Sequence, residues 1–176
     1  MRKSKTFPLA LCAILSALAL AVLYLSCLTP AGRWAMVAVA GLLPVAAVIS
    51  LGAPGGAAVW VVAGLLGLLL LPDKLNALLF ALFFGPYGVA KSLLERKLPF
   101  WAALLGKLAF FNAILAVFFL AFSKLFFPVL PAWLATRSWL VFLLGSIVFV
   151  VYDLGLSKLI AFYIQRMGKG LYKHGI

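Results

Sequence analysis

The stretch that most restricts the fold is the last apolar run, Ser138 to Ile164, which reads SWLVFLLGSIVFVVYDLGLSKLIAFYI. At about 27 residues it is long enough to cross a hydrocarbon core of ~30 Å with some tilt. Asp153 sits near its middle and is one of only three acids in the chain. A carboxylate at membrane depth costs at least ~2.5 kcal/mol, so it needs a partner, a proton or a water-filled cavity. At helical spacing Gly145, Ser146, Tyr152, Asp153 and Ser157 gather on one side, and Leu, Ile, Val and Phe cover the rest. That polar side is expected to face other helices, so the chain must supply more membrane spans.

Five further apolar runs are present, at about 7–28, 34–51, 57–71, 75–94 and 99–127. The expected fold is therefore all-α, a six-transmembrane-helix bundle forming one integral membrane domain over 1–176. Hydrophobic residues make up 67% and charged residues 10% of the chain, and its mean hydropathy is +1.24. A soluble domain of this size has no way to bury so much apolar surface. The net charge of +12 raises the question of nucleic acid. The basic residues, however, lie at the ends of apolar runs, where they meet lipid headgroups and set orientation. No nucleic-acid partner is expected.

The chain starts with Arg2, Lys3 and Lys5 before the run from Phe7 to Leu28. A signal peptide begins this way, but its apolar core is shorter and ends at a small-residue cleavage site. A retained first helix is expected. Cys12 and Cys27 both fall in it, some four turns apart, with neither metal-ligand spacing nor disulfide geometry. Ala13, Ala17 and Ala21 form an AxxxAxxxA stripe that lets another helix approach backbone-close, within this chain or in a partner.

Breaks follow at Thr29–Trp34, at Gly52–Gly56 (GAPGG) and at Pro72-Asp73-Lys74. In the fourth run, FFGPYG places Pro86 between Gly85 and Gly88, and Pro86 is expected to kink the helix. The kink reads equally as a hinge and as a fixed bend. The fifth run carries Lys107 and Asn112; Asn112 shares a face with Ala109, Ala116 and Ser123 and is expected to point inward. Lys107 lies about 140° round the helix from it, and is read either as inward-facing or as snorkelling to the interface. The connection 128–137 (PVLPAWLATR) is read as an interfacial segment, and Gln165 onward as a basic tail.

Six spans put both termini on one side. Arg2, Lys3, Lys5, Lys91, Arg96, Lys97, Arg166, Lys169 and Lys173 then share a face, against Arg33, Lys74, Arg137 and Lys124 opposite. The positive-inside rule places both termini in the cytoplasm.

The chemistry of catalysis is missing from the sequence. The one histidine, His174, lies in the basic tail. There is no HExxH, no phosphate-binding GxxxxGK[ST] and no paired carboxylates, so no enzyme activity, metal or cofactor is expected. A subunit that binds or passes something remains.

The layout resembles the substrate-binding S components of energy-coupling factor vitamin transporters, which are six-helix proteins of this size with cytoplasmic termini. The opening segment RKSKTFPLALCAILSALALAVLYL is similar to their first helix. FFGPYGVAKSLLERK and VYDLGLSKLIAFY resemble stretches of small bacterial membrane proteins grouped with them. The resemblance implies that Ala13, Ala17 and Ala21 contact a transmembrane scaffold subunit, which is tied to cytoplasmic ATPases. It also implies capture of a small-molecule ligand from outside. The outward half offers few polar groups, so a rather apolar ligand is expected. Candidate contacts are Tyr24, Arg33, Trp34, Lys74, Asn76, Trp133, Arg137 and Trp139, each of which is also a usual interfacial residue type. The intramembrane polar set is Lys107, Asn112 and Asp153. Asn112 or Lys107 is expected to serve Asp153 as donor. A non-transport subunit partnering envelope or lipid-assembly proteins is the second reading, and a stand-alone lipid or ion conduit built on Asp153 the third.

Overall fold

A computed structural model describes residues 6–29, 32–121 and 138–173. The fold is all-α, with six helices long and apolar enough to cross a membrane and no strand among the described residues. The protein is a multi-pass membrane protein. The helices are α1 (Thr6–Leu28), α2 (Arg33–Leu51), α3 (Ala53–Leu70), α4 (Lys74–Lys97), α5 (Phe100–Ala121) and α6 (Ser138–Lys173). The chain divides into two compact units, Met1–Lys107 and Leu108–Ile176.

In the first unit α1 packs on α2 and α3, and α2 packs on α3 and α4. Lipid tails are as apolar as leucine, so these contacts depend on close fit between small side chains rather than on expulsion of water. The core reflects this: Ala19, Ala40, Ala63 and Ala77 are fully or almost fully buried beside Leu23 and Phe80. The buried face of α1 comprises Ser16, Ala19, Leu23 and Ser26. Ala13, Ala17 and Ala21 lie on the exposed surface of that helix, away from this internal packing.

GAPGG is less of a break than its composition suggests. Only Gly52 leaves the helix, with φ +81, a left-handed conformation that favours glycine. Pro54 then occupies the first turn of α3, where its missing N–H is no loss. Gly56 N–H bonds to Gly52 O at 3.2 Å, so the helix is closed before Ala57. Asp73 starts α4 as its N-cap, accepting from Leu75 N–H at 3.0 Å and Asn76 N–H at 3.4 Å through Oδ1.

The distortion in α4 precedes Pro86 instead of centring on it. Phe80–Phe84 form a π-helical turn, in which Gly85 N–H reaches back to Phe80 O. The residue five on from Ala81 is Pro86, which has no N–H to offer in that register. Trp60 of α3 supplies the donor instead, its Nε1–H bonding to Ala81 O at 2.8 Å. A Cβ at Gly85 would overlap Trp60 Cδ1, so the glycine admits the indole. A side chain from the neighbouring helix thus covers the backbone at this bend.

In the second unit α6 buries Val141, Phe149, Asp153 and Leu156, a stripe at helical spacing. Phe111 stacks on Phe149 with ring centroids 4.8 Å apart, and Gly145 sits opposite Phe111 and Leu115. The helix runs on past Ile164 to Lys173, beyond the apolar run, since nothing in that segment removes a backbone donor.

Candidate functional site

The ends of four helices meet where α1 and α3 finish and α2 and α4 begin, and there the first unit gathers one of two polar clusters. Arg33, at the start of α2, reaches Asp73 with Nη1 3.7 Å from Oδ2, and its guanidinium lies 5.9 Å from the Trp34 ring centroid. Lys74 Nζ donates to Leu68 O and Leu71 O, both at 2.9 Å, and so caps the C-terminus of α3. Asn76, in the first turn of α4, is 0% exposed. Its Nδ2 donates to Ser26 Oγ at 3.2 Å, while the Ser26 hydroxyl donates to Leu23 O at 2.6 Å.

That chain of bonds fixes the direction of the Asn76 amide. The Ser26 proton is already committed to Leu23 O, so Oγ needs a donor, and Nδ2 must face it. Oδ1 then points elsewhere, and it finds no hydrogen-bond partner among the described residues. A buried polar atom left unpaired costs about 1–3 kcal/mol. The charges nearby, by contrast, are occupied: Asp73 shares its oxygens between a helix cap and Arg33, and Lys74 is held by carbonyls. The cluster thus offers one unused acceptor amid satisfied charges. It suits a mostly apolar molecule carrying a hydrogen-bond donor better than it suits a strongly charged one.

Of the expected ligand contacts, Arg33, Trp34, Lys74 and Asn76 come together here. Tyr24 is exposed on the outside of α1 and does not join them. Trp139, in the second unit, is exposed as well. Trp133 and Arg137 lie outside the described residues. Ser26 and Asp73 belong to the cluster but were not among the candidates; Asp73 carried a signal, as an acid in the helix-start pattern Pro-Asp-Lys.

Of the intramembrane polar residues, Asp153 and Lys107 are buried, and Asn112 bonds elsewhere than to Asp153. Asp153 is 4% exposed, but Asn112 does not serve it. Asn112 Nδ2 donates to Leu108 O at 2.9 Å and to Ser146 Oγ at 3.2 Å. Ser146 lies two turns before Asp153, about 10 Å along the helix, so Asn112 sits at the wrong depth. Lys107 does not snorkel to the interface: it is buried, with Nζ 2.9 Å from Glu95 Oε1. The same oxygen lies 2.7 Å from Lys91 Nζ. One half-exposed carboxylate therefore bridges two lysines that are 2% and 4% exposed. This second cluster ties α4 to the start of α5. Among the described residues no group of His, Cys, Asp and Glu is placed to hold a metal ion.

Comparison with protein-family models, with curated proteins and with solved structures gives no significant match.

Proposed function

We propose that this chain is a membrane-embedded substrate-capture subunit of an energy-coupling-factor-type uptake transporter, binding a small and rather apolar ligand at the Ser26–Arg33–Asp73–Asn76 end. The observation that carries this reading is Asn76: a fully buried amide whose Oδ1 is unmatched among the described residues, at a helix-end cluster whose charges are otherwise satisfied. Folding alone gives no reason to keep such an atom, whereas a ligand's N–H or O–H would complete it. The outward placement of Ala13, Ala17 and Ala21 supports the second half of the proposal, in which a scaffold helix packs on that stripe. The bacterial plasma membrane belongs to the same reading, and so, through the positive-inside rule, do cytoplasmic termini. So does the absence of catalysis by the chain itself: cytoplasmic ATPases would supply the work.

Native mass spectrometry of protein released from mild detergent tests the ligand half. The intact protein should carry a co-purified small molecule, and Asn76→Leu should lose it while remaining folded. An intact protein that carries no small molecule from any growth medium, or equal retention by Asn76→Leu, contradicts the assignment.

A further inference from the structure

The junction between α4 and α5 presents a surface unrelated to the ligand cluster. The last turn of α4 carries Arg96 and Lys97, both exposed. The chain extends at Leu98, with φ −121 and ψ 147, turns at Pro99, and re-enters helix at Phe100. Phe100 and Trp101 are 71% and 74% exposed, among the most exposed large side chains in the protein. They form an edge-to-face pair with centroids 5.5 Å apart. A basic pair and an aromatic pair thus stand next to each other on one short connection.

The acid beside them does not cancel the basic charge. Glu95 immediately precedes Arg96, but its Oε1 is held at 2.7 Å by Lys91 and at 2.9 Å by Lys107. Those two ammonium groups occupy the only acid in the connection, so Arg96 and Lys97 face outward without a competing carboxylate. Exposed aromatic rings seat at headgroup depth, with their faces in the hydrocarbon boundary and the indole N–H in water. Basic residues at the same depth attract anionic headgroups.

We infer that the Arg96–Lys97–Phe100–Trp101 junction is a binding site for an anionic phospholipid. Its phosphate would lie against the basic pair, and its upper acyl chain along the aromatic pair. Charge complementarity selects the occupant: a zwitterionic lipid carries its own cation and gains little from two more. A free inorganic anion would engage Arg96 and Lys97 but leave Phe100 and Trp101 without a partner.

The test is native mass spectrometry of the full-length protein in micelles doped with phosphatidylglycerol or phosphatidylcholine. The protein should retain phosphatidylglycerol in preference, and R96Q/K97Q should lower that retention by roughly tenfold or more. Inorganic phosphate at millimolar concentration should not displace the lipid. A second readout is quenching of indole fluorescence by brominated phosphatidylglycerol, with Trp101→Phe as the reference for the other tryptophans. Trp101 should account for the largest share of the quenching, and that share should fall in R96Q/K97Q. Equal retention of the two lipids, retention unchanged in R96Q/K97Q, or displacement by phosphate would each overturn the assignment. Because all four side chains are exposed, these substitutions leave the packed interior intact.

Discussion

Trp60 Nε1 donates to Ala81 O at 2.8 Å, satisfying a carbonyl that the π turn and Pro86 together deprive of a backbone donor. In a membrane such a carbonyl has no water to turn to, so irregular backbone persists only where protein covers it. The bond therefore decides how α4 bends. Trp60→Phe keeps the ring and removes the donor, and should lower stability by about 1–3 kcal/mol. Gly85→Ala should do at least as much harm, because the added methyl group overlaps the indole. Unfolding in mixed detergent micelles measures both. If Trp60→Phe unfolds at the same denaturant fraction as the intact protein, the indole does not hold the bend.

Glu95 is the common acceptor of Lys91 and Lys107. Glu95→Gln keeps the shape but removes the charge that two buried ammonium groups share. It should destabilise the protein by roughly 1–3 kcal/mol; a larger loss is not expected because the carboxylate is half exposed and partly screened. Glu95→Asp should recover little, since the shortened side chain cannot span both lysines. Micelle unfolding again gives the measurement, and a Glu95→Gln protein as stable as the original would show that the bridge is incidental.

Asn76→Leu separates a structural role from a binding role. If Asn76 were kept for folding, its loss would cost stability. The unmatched Oδ1 predicts otherwise: losing the Nδ2–Ser26 bond and losing the unpaired buried acceptor offset each other, so stability should stay within about 1 kcal/mol of the original. A loss of more than about 2 kcal/mol would mean that Oδ1, as well as Nδ2, is bonded in the folded protein and that the acceptor is not reserved for a ligand.

The topology is checked by single-cysteine labelling in a background lacking Cys12 and Cys27, both of which are free thiols within α1. A cysteine at position 74 should react with a membrane-impermeant reagent added to whole cells, and one at position 96 should not. The reverse pattern would invert the protein in the membrane and move the Asn76 cluster to the cytoplasmic side.

Much of the architecture is legible in the sequence, because membrane spans depend on length and apolarity alone. The six runs, the turn at Pro72-Asp73-Lys74 and the polar side of the last helix all follow from periodicity and turn chemistry. What escapes is set by neighbours distant in sequence. GAPGG looks like a loop, yet only Gly52 needs a left-handed backbone, and Pro54 suits a first helical turn. Pro86 marks the distortion of α4, but the register shift lies upstream, where Trp60 can reach Ala81. Asn112 and Asp153 each lie in the middle of an apolar run, yet Asn112 is level with Ser146. The ion pair of Lys107 with Glu95 joins two helices, α4 and α5, so the periodicity of a single run does not reveal it. Asn76 stands out only once the Ser26 hydroxyl is seen to be committed to Leu23 O.

The capture-subunit account rests most directly on what binds the exposed face of α1. Affinity purification in mild detergent, followed by mass spectrometry of the intact assembly, measures this. The account predicts that a transmembrane scaffold and two cytoplasmic ATPases accompany the wild-type chain. It predicts that Ala17→Trp, placed on the outside of α1, loses all of them while the isolated protein still unfolds as before. Recovery of envelope or lipid-assembly enzymes in their place, or a complex unchanged by Ala17→Trp, would contradict it.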